Sequence, residues 1–170
     1  MASVIIRRMH EEDRPAVMAI LTKWNMAPIA PCPEVPDPER SSLDTDGTTF
    51  VAVTEDRVVG VASYILLGDR RAETASLAVD PDWRGTRIGE RLQIARMVEL
   101  KARGIETLRT ESDRAEVVDW YVRKFGYRVI GENAKKHAFS LVDVDHWTVL
   151  ELDLGAWNPD GVMVPPIPSR

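Results

Sequence analysis

The hydrophobic positions of this chain follow two patterns, short continuous runs and apolar residues spaced three or four apart. Short runs rich in β-branched residues predict strands. They occur at residues 4–6, 50–53, 58–67, 73–79, 105–110, 127–130 and 147–152. The helical spacing occurs from Val17 to Trp24, from Ile88 to Ala102 and from Val118 to Phe125. The predicted order is β-α-loop-β-β-β-α-β-α-β-β, which indicates a single α/β or α+β domain.

Residues at the ends of these segments indicate where the helices begin and end. Asp13, followed by Pro15, predicts the start of the first helix, because an aspartate can accept hydrogen bonds from the first N–H groups. Asp113 has capping-box-like spacing and predicts the start of the third helix. Val118, Val122 and Phe125 are predicted to line the core face of that helix.

Two segments do not follow either pattern. Residues 25–48 contain five of the chain's 11 prolines, together with five acidic residues against one basic residue. Little regular structure is expected there, and the segment is either a binding loop or a solvated surface loop. Residues 155–170 contain four prolines and are predicted to form a tail, which leaves residues 1–154 as the domain.

Composition limits the class of protein. The 170 residues are 44% hydrophobic and 29% charged, with a formal net charge of -5, which is typical of a soluble globular chain. The charge does not favour nucleic acid as a partner, and the longest apolar run is too short to cross a membrane. No signal-peptide pattern is seen at the N-terminus, and Cys32 has no second cysteine to pair with. A reducing compartment, the cytoplasm, is therefore expected.

The segment from Leu77 to Gly89 carries the strongest chemical pattern. A strand enters a tight turn containing Gly85, and a helix then begins, so unpaired N–H groups at the helix N-terminus can bind an anion. Residues 84–103 hold six basic and two acidic side chains. Neither a Walker phosphate loop nor a dinucleotide fingerprint is present. The alternative is an ordinary basic helix whose glycines serve only the turn.

The stretch LAVDPDWRGTRIGERL resembles motif A of the GNAT superfamily of acyl-CoA N-acyltransferases, whose pattern is [QR]-x-x-G-x-[GA]. Arg84 occupies the first position and Gly89 the last. Arg87 stands where the middle glycine is usual. Because it is not glycine, Arg87 is expected to avoid a positive φ, as the first turn of a helix permits.

A second motif lies about 40 residues later. Residues 120–131 resemble the family's later helix and strand, with Tyr121, Phe125, Gly126 and Tyr127 in the characteristic positions. The order of elements also matches over residues 3–153. Residues 112–114, Ser-Asp-Arg, stand where the family usually has an asparagine that contacts the cofactor. The resemblance implies a central, mostly antiparallel mixed sheet flanked by helices.

The resemblance also implies acetyl-CoA as co-substrate and no metal. The pyrophosphate is expected on the N–H groups of the motif A turn, and the pantetheine arm beside the preceding strand. The implied cofactor-binding residues are Leu77, Ala78, Val79, Arg84, Gly85, Thr86, Arg87, Ile88 and Gly89.

Two further residues are implied for acetyl transfer to an amine. Glu73 is the candidate base, acting directly or through a water, and it is expected to share one strand face with Ala75, Leu77 and Val79. The alternative is a solvent-facing strand residue. Tyr121, expected beside the thioester, is the candidate acid for the leaving thiolate, and its alternative is a packed aromatic of the helix.

The remaining candidates are less specific. His137 and His146 either line an acceptor site or are surface polar groups. Three roles are open for a further apolar set: part of the core or tail, a homodimer contact, or a cover over the acceptor pocket. This set is Trp147, Trp157 and residues 162–164. The leading hypothesis is an N-acetyltransferase for a small-molecule or protein amine. The alternatives are a non-catalytic acyl-CoA-binding sensor and a structural partner in a larger assembly.

Overall fold

The computed structural model describes residues 3–27, 48–136 and 138–159. The predicted proline-rich loop with Cys32, the residue His137 and the tail from residue 160 onward lie outside these ranges. No helix among the described residues is long and apolar enough to cross a membrane.

The elements follow the predicted order. The strands are β1 (Ile5–Arg8), β2 (Thr49–Thr54), β3 (Arg57–Gly68), β4 (Arg71–Val79), β5 (Thr107–Ser112), β6 (Arg128–Ala134) and β7 (His146–Asp153). The helices are α1 (Arg14–Lys23), α2 (Ile88–Ala102) and α3 (Ala115–Phe125), with short 3-10 turns at Glu11–Asp13 and Pro81–Trp83.

The seven strands form one mixed sheet in the order β1-β2-β3-β4-β5-β7-β6. The pairs β1–β2, β2–β3, β5–β7 and β6–β7 are antiparallel, whereas β4 and β5 are parallel. A parallel pair needs a crossover connection, and α2 supplies it between β4 and β5. The predicted mixed, mostly antiparallel sheet flanked by helices is confirmed.

The described chain divides into two compact units. The first comprises residues 3–27, 48–64 and 76–96. Its core contains Val17, Ile20 and Leu21 of α1, as the helical spacing predicts, packed with Val51 and Ala78 from the strands. Burial of these side chains removes apolar surface from water and stabilises this unit.

The second unit comprises residues 65–75, 97–136 and 138–159. Leu108 of β5 pairs with Leu152 of β7, and both side chains are buried. The alternating burial along β5 follows from the period-two geometry of strands, whereas on β7 the consecutive residues Val149 and Leu150 are both buried. The buried face of β5 carries Leu108, Thr110 and Ser112, and its other face carries the charged residues described below.

Two local predictions are wrong, and a third is right only in position. Asp13 is the N-cap residue of α1, as predicted, but its carboxylate makes no capping hydrogen bond to that helix, because it accepts hydrogen bonds from the guanidinium of Arg7 and the N–H of His10. Asp113 does not cap α3, whose N-cap is Arg114. Val122 is exposed, and the buried residues of α3 are Tyr121 and Phe125.

Candidate active site

The turn between β4 and α2 lies in the first unit and is built around Asp80. The Asp80 side chain accepts a hydrogen bond from the N–H of Asp82, and the Asp80 carbonyl accepts one from the N–H of Trp83. These bonds hold the 3-10 turn Pro81–Trp83. Gly85 then has φ of +75°, in the left-handed region, three residues before α2 begins at Ile88.

Arg87 departs from the sequence-based expectation. Its φ is +64°, in the left-handed region that favours glycine. The turn thus keeps the backbone conformation that a middle glycine of motif A would adopt easily. The prediction that Arg87 avoids a positive φ is therefore wrong.

The backbone N–H groups of this turn are available to a ligand. Those of Gly85, Thr86, Arg87, Ile88 and Gly89 donate to no acceptor among the described residues. The first helical bond joins the N–H of Arg91 to the carbonyl of Arg87. Unpaired N–H groups at a helix N-terminus, together with the positive end of the helix dipole, favour a bound anion.

The basic residues of this region do not all face the turn. Arg84 and Arg87 are exposed, and the guanidinium of Arg84 lies over the Trp24 ring at 5.4 Å from its centroid. Arg91 donates to the carbonyl oxygen of Val4 at 2.9 Å, and Arg96 is fully buried. Arg84 and Arg87 are therefore the side chains available to add positive charge at the N–H groups.

The end of β4 is held by α1. The indole N–H of Trp24 donates to the carbonyl oxygen of Val79 at 2.9 Å, so one acceptor of the predicted pantetheine strand is already engaged. Leu77 and Val79 are half-buried, whereas Ala78 lies in the core. Ser76 has φ of +48°, which makes the strand irregular just before this segment.

Asp80 also gathers positive charge at the end of β4. Its carboxylate lies 3.2 Å from the Lys23 ammonium and 3.6 Å from the Arg57 guanidinium. Burial pushes the pKa of Asp80 upward, but the hydrogen bonds from Asp82 and Lys23 and the charge of Arg57 outweigh it, and the net pKa is lowered. Asp80 is therefore ionised and anchors both cations to this edge.

Glu73 lies on β4 in the second unit. It is half-buried and, in the parallel register, pairs with Arg109 of β5. Burial, and then the nearby charge of Glu111, raise the pKa of Glu73, while Arg109 opposes the rise. A carboxylate with a raised pKa is a stronger proton acceptor at neutral pH than an ordinary one.

Arg109, Glu111 and Asn133 form a polar cluster that the sequence analysis missed. A nitrogen of Arg109 and the amide nitrogen of Asn133 both lie 2.8 Å from the same Glu111 oxygen. The alternation of Arg109 and Glu111 with Leu108 and Thr110 marks one polar strand face. That spacing could have indicated the first two residues, but Asn133 lies on a distant strand.

Tyr121 is buried in an aromatic cluster of the second unit. Its ring is 3% exposed and lies 5.0 Å, between centroids, from the rings of Trp120 and Tyr127. Its hydroxyl makes no hydrogen bond to another described residue. The ring position is therefore fixed by packing, while the hydroxyl is not engaged by the described chain.

Asp113 stands in the segment where the family usually has an asparagine, and it forms a buried hub instead. Its carboxylate lies 2.6 Å from the ammonium of Lys135, both side chains being almost fully buried, and it also accepts from Ser140 and the N–H of Leu141. Lys135 lies 4.6 Å from the centre of the Trp147 ring. Asp113 thus ties the β6–β7 connection to the chain just before α3.

The other candidates have surface or core surroundings. His146 is partly exposed, and its ring nitrogens lie near the carboxylates of Asp145 and Glu132. Trp147 is buried against Phe139 and Lys135. Among the described residues there is no group of three or more histidine, cysteine, aspartate or glutamate side chains arranged to hold a metal ion.

Comparison with known proteins identifies the family of this chain. Residues 11–127 match the model of the acetyltransferase (GNAT) family. The chain belongs to this family. The predicted family and fold are therefore confirmed, and so is the predicted enzyme class, an acetyltransferase. No curated protein sequence matches it significantly.

Solved structures of GNAT proteins share the fold. The ribosomal-protein-S18-alanine N-acetyltransferase from Escherichia coli aligns with a TM-score of 0.69 and 19% identity, over 92% of this chain and 97% of that one. Ard1 from Thermoplasma volcanium aligns with a TM-score of 0.67 and 16% identity, over 88% and 96% of the two chains. N-acetylglutamate synthase from Neisseria gonorrhoeae, complexed with coenzyme A and N-acetyl-glutamate, aligns with a TM-score of 0.66 and 18% identity, over 91% of this chain and 36% of that one.

Proposed function

We propose that this GNAT-family member transfers an acetyl group from acetyl-CoA to an amine by direct attack. The observation that carries the proposal is the row of unengaged N–H groups from Gly85 to Gly89 at the start of α2. A diphosphate suits this site, because it accepts several hydrogen bonds and carries the charge that the helix dipole favours.

The cofactor-binding residues follow from this placement. The N–H groups of Gly85, Thr86, Arg87, Ile88 and Gly89 bind the pyrophosphate, and the guanidinium groups of Arg84 and Arg87 add positive charge. A Cβ added at Gly85 would meet no atom within 4 Å, so its backbone is open to a ligand. The backbone of Leu77, Ala78 and Val79 binds the pantetheine arm, with the Val79 carbonyl shared with Trp24.

The chemistry requires two protons to leave the nitrogen of the ammonium and one proton to reach the thiolate. Glu73, directly or through a water, takes the proton from the ammonium, and its raised pKa suits this role. The amine lone pair then attacks the thioester carbon, forming the C–N bond. When the C–S bond breaks, the Tyr121 hydroxyl gives its proton to the sulfur, and the nitrogen loses its second proton, which returns to the tyrosinate through water. The products are the amide and free coenzyme A.

The first test is an assay of thiol release from acetyl-CoA over a panel of small amines and peptide N-termini. Turnover with one acceptor is expected. Tyr121→Phe should lower kcat by on the order of 10²-fold or more, the usual contribution of a general acid, with little change in acetyl-CoA affinity. An unchanged kcat in Tyr121→Phe would remove the acid role from this residue.

The competing function is a non-catalytic acyl-CoA sensor. It would retain the N–H groups of the turn and need neither Glu73 nor Tyr121. Titration calorimetry with acetyl-CoA separates the two hypotheses, because tight binding without turnover on any acceptor favours the sensor. Absence of coenzyme A binding would contradict both.

The acceptor and the cellular setting belong to the proposal as well. The acceptor is a small-molecule or protein amine, without involvement of nucleic acid or a membrane. The cytoplasm is the proposed location, and a homodimer is one possible assembly. Gel filtration with light scattering tests the last point.

A further inference from the structure

We propose that Arg109, Glu111 and Asn133 form a positioning cluster that keeps the Glu73 carboxylate free to act as the base. The inference rests on the proposed function of Glu73, but it concerns residues that no step of that mechanism uses. All four residues lie in the second unit.

Strand register brings the charges together. Glu73 pairs with Arg109 across the parallel strands β4 and β5, and paired side chains in neighbouring strands lie on the same sheet face. Glu111 lies two residues beyond Arg109 on β5 and shares that face. Arg109 therefore shares this face with Glu73 and Glu111, and on its other side it faces Glu151 of β7, whose carboxylate is paired with Arg128 at 2.9 Å. The partner that Arg109 takes determines which of Glu73 and Glu111 remains unpaired.

The contacts show which partner Arg109 has. Its guanidinium lies 2.8 Å from Glu111 and makes no ion pair with Glu73 among the described residues. Asn133 donates to the same Glu111 oxygen at 2.8 Å, which fixes that carboxylate in place. Hydrogen bonds to a charged group are among the stronger ones, so Asn133 and Arg109 together hold the Glu111 carboxylate.

The electrostatic surroundings of Glu73 agree with this arrangement. The charged groups that act on it are Glu111, which raises its pKa, and Arg109, which lowers it. On its own strand Arg71 lies two residues earlier, and β3 has no charged residue from Val58 to Gly68. Burial is the largest cause of the raised pKa of Glu73, and the Arg109–Glu111 pair supplies the contributions of neighbouring charges.

The experiment measures the titration of Glu73 directly. Carboxyl-carbon NMR of protein labelled at glutamate is recorded against pH, and the Glu73 signal is assigned by its loss in Glu73→Gln. Glu111→Gln removes the like charge and releases Arg109 toward Glu73, so the midpoint should move to lower pH. Arg109→Gln removes the cation, and the midpoint should move to higher pH.

The controls separate positioning from general damage. Glu106→Gln, an exposed residue paired with Arg70, should leave the Glu73 midpoint unchanged. Glu111→Asp should restore part of the shift. In the kinetic assay, the acidic limb of kcat/KM should move in the same direction as the NMR midpoint in both variants.

Opposite shifts in Glu111→Gln and Arg109→Gln support the proposal. Shifts in the same direction, or none in either variant, overturn it. Because the titration needs no substrate, its result stands even if no acceptor amine is turned over. Absence of turnover would count against the proposed acetyl transfer, whereas the NMR titration alone would decide whether the cluster positions Glu73.

Discussion

Arg87 shows how one residue can retain a motif's geometry while departing from its sequence. A non-glycine residue in the left-handed region carries an unfavourable contact of its Cβ with the backbone, about 1 kcal/mol. Its side chain is exposed and lies 3.5 Å from Glu90, a surface pair of little energetic weight. What Arg87 contributes is therefore charge beside the N–H groups rather than stability.

Arg87→Gly is expected to leave the free energy of unfolding unchanged or raise it by up to about 1 kcal/mol, since glycine adopts a positive φ without strain. Urea denaturation without ligand measures this. Arg84→Gly is the matched control, because Arg84 has φ of -64° and glycine there should lower the free energy of unfolding by about 0.5–1 kcal/mol. Equal losses in both variants would contradict the account.

The position of a candidate residue could be predicted from the sequence where it depends only on the spacing of nearby residues. Glu73 on β4 and the turn from Arg84 to Gly89 lie where the pattern indicated. The φ of Arg87 was not predictable, because the same residue is compatible with an ordinary first helical turn. Asp113 was assigned to a cap by spacing alone, whereas its partner Lys135 lies 22 residues away in sequence.

At the scale of elements, the position of the turn depends on how closely α2 approaches β3. Gly60 of β3 is buried beneath α2, and a Cβ added there would lie 3.0 Å from Cδ1 of Leu92 and 3.1 Å from Cγ2 of Ile88. Ile88 is the first residue of α2. The glycine therefore lets the helix N-terminus pack directly on the strand.

Gly60→Ala is expected to lower the free energy of unfolding by about 1–3 kcal/mol, the usual effect of overpacking. It should also weaken coenzyme A binding, because relief of the contact displaces the first turn of α2. Gly131→Ala is the matched control, since a Cβ there meets nothing within 4 Å. Denaturation and titration calorimetry give both quantities, and a loss in Gly131→Ala as large as that in Gly60→Ala would exclude the packing explanation.

Element order and type followed from periodicity because most runs of apolar residues bury one face, although all residues of β6 are exposed. The helix faces were less predictable. Val122 continues the helical spacing of α3, yet it is exposed, whereas Tyr121 is buried. Which aromatic residues meet at α3 depends on the strand after Gly126, where Tyr127 contacts Tyr121, and no local pattern contains that information.

At the scale of the whole molecule, the net charge of -5 averages regions that differ in sign. The structure shows that the basic excess from residue 84 to 103 is only partly available to a ligand, because Arg96 is buried and Arg91 is bonded to Val4. A count of charges therefore overestimates the field at the turn. The charge of the half-buried Glu73 affects stability, because an ionised carboxylate whose pKa is raised by folding lowers the free energy of unfolding.

This cost of the proposed base can be measured across the pH range. The folded pKa of Glu73 is raised by burial and by Glu111, so the folded protein binds the Glu73 proton more tightly than the unfolded chain does. The stabilisation from this proton is complete below the unfolded pKa and is lost as pH rises through the folded pKa. Glu73→Gln removes the charge. At pH 7 the variant should therefore be more stable than the wild type, by about 0.5–2 kcal/mol, the usual range for a stabilising substitution.

The pH dependence distinguishes this electrostatic effect from a change in packing. As pH falls through the folded pKa of Glu73 toward about 4.3, the ordinary value for glutamate, the wild-type side chain becomes neutral and the two proteins should become equally stable. Urea denaturation at a series of pH values gives the difference. Glu106→Gln, which removes an exposed, ion-paired carboxylate, should show no gain at any pH. A wild type more stable than Glu73→Gln at pH 7 would mean that the ionised carboxylate is stabilised where it lies, which is the opposite of what a proton acceptor kept free of partners requires.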